Sequence, residues 1–425
     1  MKKWCIITVA VLGFLFSSIT VFAAGQKEEA PKALPEKIVV GCLEPLTGSY
    51  AVFGTEAKIG MEIAIKHINE TGGIASLKGI PLSLVAEDCG ESPDSAKLGA
   101  ESLISKYHPV AILGLYISRL TITASEVMER NKVILVTDAL ADSLTAMGRR
   151  YLFRPSANAG QYGSSAVEFL ADIAKKKGFD MSKSRVALIN EDSAFGRSVA
   201  MGAVNAALGK GVTIVYHKEY PYDSSDVTSI VSDITNAKAD VVLHCPYFMD
   251  AILFAKTFRE KGKIPKFIAG MGACGYVDDN SIKALGQTGN YYSNTYGYNP
   301  EKNTTWNQKF VKDFKAQTRN LPTDSSGMNY YAMWVLKEAL ELSGRLFPDD
   351  PLNPENLRQA FLKLDITSGP AVDTFPTNRF TFTETGDNPH ARAVVMQVIN
   401  GQPKVVWPFA DAQAEAVFPR PDATY

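Results

Sequence analysis

From residue 37 onward, short continuous apolar runs alternate with stretches whose apolar residues recur at helical spacing, and this alternation constrains the fold more than any other feature. Residues 37–42 form the first apolar run. Ala57, Met61, Ala64, Ile65 and Ile68 then recur at the spacing of one helix face and stop at Gly72-Gly73, a pair suited to a helix C-cap. Residues 82–86, 110–113 and 133–136 repeat the apolar run, with a helical stretch between each pair. Runs that are apolar throughout, rather than on alternate residues, belong to parallel strands covered on both faces. The pattern restarts at 186–189 and continues through 213–216, 241–244 and 267–269, separated by helices such as 193–208 and 249–261. The expectation is an α/β protein of two doubly wound parallel-sheet lobes. No Gly/Ser-rich linker divides them. The join at residues 153–158 (FRPSAN) is short, and a helical block over 306–364 follows the second set of strands, so the chain is expected to cross between lobes more than once. Several crossings make a hinge, because a few backbone segments absorb a rotation while both cores stay rigid.

The chain's 425 residues exceed one ordinary core. Its net charge of -1, with acids and bases dispersed, leaves no basic stripe to neutralise phosphates, so nucleic acid is excluded as an expected partner. At the amino end, Lys2 and Lys3 precede an apolar run over 5–22, and Val21-Phe22-Ala23 offers the small residues of a processing site. Residues 1–23 therefore read as a cleaved signal peptide and 24–36 as a polar linker. Cys5 lies ahead of the apolar core, where a lipobox cysteine cannot be. A secreted, unanchored protein is retained only by an outer membrane, which points to a periplasm. Cys42, Cys89, Cys245 and Cys274 match no CxxC or zinc spacing, and the histidines are scattered, so no metal and no cofactor are expected.

Gly270-Met271-Gly272-Ala273-Cys274-Gly275 satisfies GxGxxG after a strand, but it stands in the wrong unit to open a dinucleotide site and has no acid at the end of a following strand. GxSxG is absent, and the chain is read as a non-enzyme; a hydrolase acting on amides and a ligand sensor are the alternatives. The loops after the strands, at 44–54, 115–121, 137–142, 190–196 and 245–248, are rich in small polar, glycine and aromatic residues. Ligands of open parallel sheets bind outside the carboxyl ends of the strands, so two such rims facing each other would form a cleft. Helices starting near Thr121 and Phe195 would aim their amide groups into it.

The segments KIVVGCLEPLTGSYAVFG, HINETGGI, VAILGLYISRLT, ASEVMERNKVILVTDALAD, YLFRPSAN, VALINEDSAFGRS and ADVVLHCPYFMDA resemble the leucine/isoleucine/valine-binding family of type I periplasmic binding proteins, over residues 37 to about 382. The resemblance implies a three-crossover hinge, an ABC importer whose permease is the partner, and a monomer. It places one lobe at 37–158 plus 296–370 and the other at 159–295 plus 371–425. It implies ligand contacts from Ser118, at the position that binds an amino acid's carboxylate, and from Ala139, Ala141, Tyr247 and Phe195. Met271 falls where the family's ammonium-pairing glutamate stands, and Phe53 and Thr121 complete the set. With that glutamate replaced, either a shifted acid (Asp138, Asp142 or Asp192) meets the ammonium or the ligand lacks one; a hydrophobic amino acid and an aliphatic or aromatic carboxylate both remain open. If disulfides form, the pairs 42–89 and 245–274 are expected, with free buried thiols the equal alternative.

Overall fold

A computed structural model describes residues 32–273 and 275–424. The predicted signal peptide and most of the linker lie outside the described residues, as does Cys274. No helix among the described residues is long and apolar enough to cross a membrane.

Among these residues the first sheet has five parallel strands: β1 (Ile38–Glu44), β2 (Leu82–Asp88), β3 (Ala111–Gly114), β4 (Ile134–Thr137) and β5 (Leu152–Phe153), in the order β2-β1-β3-β4-β5. Helices α1 (Ala51–Glu70), α2 (Pro93–Tyr107), α3 (Ser118–Asn131) and the short α4 (Ser143–Ala146) connect them in turn. Central β1, β3 and β4 are buried along almost their whole length, whereas β2, at the edge, is only partly covered. That difference explains why the central runs are apolar throughout while β2 carries Ser83, Glu87 and Asp88. Helix α1 stops where expected: Gly72 and Gly73 both have positive φ, the left-handed region glycine enters without a Cβ clash.

The chain then crosses over and builds the second lobe: α5 (Ala159–Lys177), β6 (Arg185–Glu191), α6 (Ala194–Lys210), β7 (Thr213–Tyr220), α7 (Thr228–Asn236), β8 (Val241–Cys245), α8 (Phe248–Glu260), β9 (Phe267–Gly270), α9 (Asp279–Leu285) and β10 (Ser293–Tyr296). It crosses back for α10 (Thr305–Thr318), α11 (Asp324–Leu346), α12 (Pro354–Leu362) and α13 (Pro370–Thr374), and returns for β11 (Val394–Ile399) and β12 (Gln402–Trp407). The second sheet runs β12-β11-β10-β9-β8-β6-β7. Two doubly wound lobes joined by three crossovers are thus present, with one addition: β11 pairs antiparallel with β10, Ser293 opposite Gln397, and β12 pairs antiparallel with β11. An antiparallel pair on the edge of an otherwise parallel sheet is common among large sheets.

The third crossover falls later than the expected boundary at 371. Helix α13 packs on α10 and α11. Phe375 and Phe380 stack at 4.1 Å and both meet Tyr331 of α11, and Phe382 meets Phe153 of β5. Residues 371–382 therefore belong with the first sheet, because their aromatic rings complete its core. The first and third crossovers are stitched together by Arg154, whose N–H donates to Gly386 O at 2.8 Å and whose guanidinium bonds Asp387.

The expected pairing of Cys42 with Cys89 is not found: both are free, buried thiols. Cys42 stands opposite Ala86 in the β1–β2 register, three residues short of Cys89. At about 3.3 Å per residue that offset is about 10 Å, beyond disulfide reach. Cys245 is also a free, buried thiol.

Candidate functional site

The carboxyl ends of the two sheets face one another, as the strand-end rule requires. An outer space of about 370 Å³ lies between them. Ser49, Tyr50 and Phe53 after β1 and Arg119 on α3 line it from the first lobe; Tyr222, Tyr247, Phe248 and Asp250 line it from the second. A deeper space of about 10 Å³, enough for one water-sized group, is bounded by Tyr116, Asp138, Leu140 and Asp324 from the first lobe and by Phe195, Tyr247 and Ala273 from the second. Tyr247 is in the wall of both.

Aromatic side chains bridge the lobes. Tyr50 meets Tyr247 edge-on at 5.4 Å and Phe53 meets Phe248 at 6.4 Å, while Phe53 stacks on Tyr116 at 5.0 Å within its own lobe. At the mouth, the Arg119 guanidinium lies 5.6 Å from the Tyr50 ring centre and 4.7 Å from that of Tyr222 across the cleft, and donates to Glu91 O. Such cation–π contacts are attractive at these distances. Polar contacts also cross: Asp142 N–H donates to Ser198 Oγ at 3.2 Å, and Tyr162 OH to Asp324 at 3.1 Å.

The walls carry buried acids. Asp138 follows β4 and is 3% exposed; burial pushes its carboxyl up to about 7, and Asn329 donates to Oδ2 at 2.8 Å while Oδ1 has no partner. Glu44, at the end of β1, is raised by burial and then by the nearby Asp138 charge; Tyr116 N–H donates to its Oε2 at 3.1 Å. Burial likewise lifts Asp324 and Asp250 to about 7. In the second rim Glu191 is raised by burial yet accepts from Ser193 N–H, Ser193 OH and Gly196 N–H, so it closes the first turn of α6. The backbone between β3 and α3 is tight: Gly114 and Leu115 both have positive φ, a costly conformation for leucine.

Each of the five loops singled out in the sequence sends at least one residue to these spaces. Phe53, Phe195 and Tyr247 stand in the walls. Ser118, Ala139, Ala141, Thr121 and Met271 are buried behind them and are not in the walls of either space. Ser118 Oγ accepts from Ala141 N–H at 3.1 Å, tying the β3 loop to the β4 loop. Thr121 Oγ1 donates to Leu115 O at 2.6 Å and Ile117 O at 3.1 Å, holding the strained turn. Met271 continues β9, its N–H donating to His244 O. Asp324, Tyr222 and Ala273 enter the walls without having been predicted; Asp324 lies far along the chain, at the start of α11, and only the second crossover brings it in. The glycine-rich run turns at Gly272 and Ala273, both with positive φ, and among the described residues the next helix after β9 starts at Asp279, beyond the run. A Cβ on Gly272 would sit 2.9 Å from the Tyr162 ring and 3.2 Å from that of Phe195.

The family model described as periplasmic binding protein matches residues 37–403. A Leu/Ile/Val-binding protein homolog 7 from Brucella suis biovar 1 is 30% identical over 393 residues, covering 90% of this chain and 94% of its own. A homolog 8 from Brucella melitensis biotype 1 is 29% identical over 418 residues, covering 96% and 97%. Among solved structures, a solute-binding protein of an ABC transporter from R. palustris in complex with benzoate superposes with a TM-score of 0.72 at 20% identity, covering 91% of this chain and 99% of that one. A leucine-binding protein from Thermotoga maritima gives 0.71 at 21%, covering 87% and 97%.

Proposed function

Because this chain belongs to the periplasmic binding protein family, in its type I Leu/Ile/Val-binding branch, we propose that it is the substrate-binding component of an ABC importer and captures a small organic molecule by closing its two lobes. The observation that carries this reading is that both sets of strand-end loops supply aromatic walls to one interlobe cleft, with Tyr50 against Tyr247. A ligand between the rims would contact both lobes only in the closed state, so it would stabilise that state by differential contact. The outer space offers the rings of Tyr50, Phe53, Tyr247 and Phe248 to an aliphatic or aromatic body, beside the ionisable Glu91, Arg119, Asp223 and Asp250. Similar folds hold benzoate and, in a protein from Desulfitobacterium hafniense, leucine, so hydrophobic amino acids and small carboxylates are the first ligands to try. The protein would act as a monomer, reach the periplasm through a cleaved signal peptide without a lipid anchor, hand its ligand to inner-membrane permease subunits, and leave it chemically unchanged.

A thermal-shift screen over amino acids, aromatic and fatty acids and amides tests this. A ligand at 100 times its dissociation constant stabilises the native state by about 2.7 kcal/mol. A reproducible upward shift with one chemical class, and recovery of that ligand intact, are the expected results. Turnover of the ligand, or no shift across the panel, would overturn the proposal.

A further inference from the structure

We propose that the inner space is a cation subsite: it takes the ammonium end of the ligand, held by Asp138 and Asp324 of the first lobe against the rings of Tyr116, Phe195 and Tyr247. This rests on the solute-binding reading above and chooses between the ligand classes it leaves open.

Four observations converge. First, a buried acceptor in the wall of this space lacks a donor. Asp138 Oδ1 has no partner, and Asp138 is only 3% exposed. An unmade hydrogen bond at a buried acceptor is costly, so this oxygen calls for a donor from the ligand. Second, among the described residues no lysine, arginine or histidine forms an ion pair with Asp138 or Asp324, whereas buried Glu341 is paired with Lys337. Third, the size fits: about 10 Å³ admits one water-sized group, and an ammonium is that size, with three donors and no acceptor. Fourth, Tyr116, Phe195 and Tyr247 stand in the remaining wall beside Leu140 and Ala273, and aromatic ring faces attract cations. A carboxylate in this space would instead bring a third acid to Asp138 and Asp324. A metal is a poorer fit, since among the described residues no three ligating side chains are grouped to hold one.

Proton linkage supplies a readout specific to charge. Asp138 is pushed up to about 7 by burial, with Glu44 and Cys42 on β1, Cys89, and Asp324 and Tyr331 on α11 as its titratable neighbours. Near neutral pH it is therefore partly protonated when the space is empty. An ammonium favours the ionised form, so binding would release protons.

The test is calorimetric titration of the intact secreted chain with two matched series. One is leucine, 3-methylbutylamine, 4-methylpentanoate and 4-methylpentanamide; the other is phenylalanine, 2-phenylethylamine, 3-phenylpropanoate and 3-phenylpropanamide. The amine-bearing members should bind roughly 10- to 100-fold tighter than their des-amino partners, the range for a hydrogen bond to a charged group. Asp138→Asn should erase most of that preference, and proton release measured across buffers of different ionisation enthalpy should appear at pH 6.5, shrink at pH 8.5 and fall in the variant to the part that Asp324 supplies. Asp324→Asn serves as the second variant if Asp138→Asn does not fold. Equal affinity for the des-amino acid or the amide, or unchanged preference in the folded variant, would overturn the subsite while leaving solute binding intact. Failure of every member of both series to bind would remove the solute-binding reading and the subsite together.

Discussion

Arg154→Met should loosen the joint between the lobes and the cleft loop at once. Arg154 is fully buried, and its guanidinium makes five bonds: Nε and Nη2 to Asp387 Oδ1 at 2.9 and 2.7 Å, Nη1 to Leu140 O and Ala141 O at 2.8 Å each, and Nη2 to Thr145 Oγ1 at 3.1 Å. Removing one partner of a buried ion pair costs about 3–5 kcal/mol. Three features of the surroundings place this site at the lower end. The Asp387 side chain is 27% exposed and so can recruit water; it keeps the Thr145 hydroxyl at 2.6 Å. Leu140 O and Ala141 O each retain one backbone donor, from Ala159 and Leu144. The expected loss is therefore about 3 kcal/mol in urea unfolding. Ligand affinity should fall with it, since Leu140 is in the inner wall. Adding Asp387→Asn should restore about 1 kcal/mol or more by removing the unpaired carboxylate. A loss below about 1 kcal/mol in the single variant would refute the claim that Arg154 holds the first and third crossovers together.

Tyr247→Ala should weaken ligand binding by about 1–3 kcal/mol, since the ring pairs with Tyr50 at 5.4 Å and Phe195 at 5.7 Å and each such pair contributes about 0.5–1.5 kcal/mol; Tyr247→Phe should keep most of it, and wild-type affinity in the alanine variant by titration calorimetry would contradict the placement of the cleft. Burial raises Asp138, Asp250, Asp324 and Glu56 to about 7, so the native state binds more protons than the unfolded chain between about pH 4 and 7, and their contribution to stability is lost as pH rises through 7. The Tm of ligand-free protein should accordingly fall from pH 5.5 to 8.5, and a flat or rising profile would contradict these burial shifts. Peptide mapping without reductant should find Cys42, Cys89 and Cys245 unlinked and alkylated only after unfolding, because all three are buried; a Cys42–Cys89 peptide would contradict the β1–β2 register.

The strands were legible because parallel strands covered on both faces carry continuous apolar runs, and β1, β3, β4, β6 and β8 each contain one of three or more residues. The hairpin β11–β12 carried its own signal, Asn400-Gly401 between apolar runs, and both residues have positive φ as such a turn requires. It lies in the stretch 371–425 expected to belong to the second lobe, and its strands do join that lobe's sheet. Loops were legible as a set from the strand-end rule, but individual contacts were not. Ser118 and Thr121 have the right chemistry and the right loop, yet each spends its hydroxyl on the backbone of the rim. Asp324 shows the opposite failure: nothing near it in sequence marks it, and its place beside Asp138 follows from where α11 crosses the sheet. Asp138 itself was visible as one of three acids near the site; its unpartnered oxygen distinguishes it from Asp142, which caps Gly160 N–H, and Asp192, which accepts from Tyr222 N–H.

The central claim, that a small molecule is gripped between two lobes that close on it, is tested most directly by small-angle scattering of the purified protein with and without a saturating ligand identified in the thermal screen. The account predicts a smaller radius of gyration with ligand bound, and an unchanged radius at demonstrated saturation would contradict it.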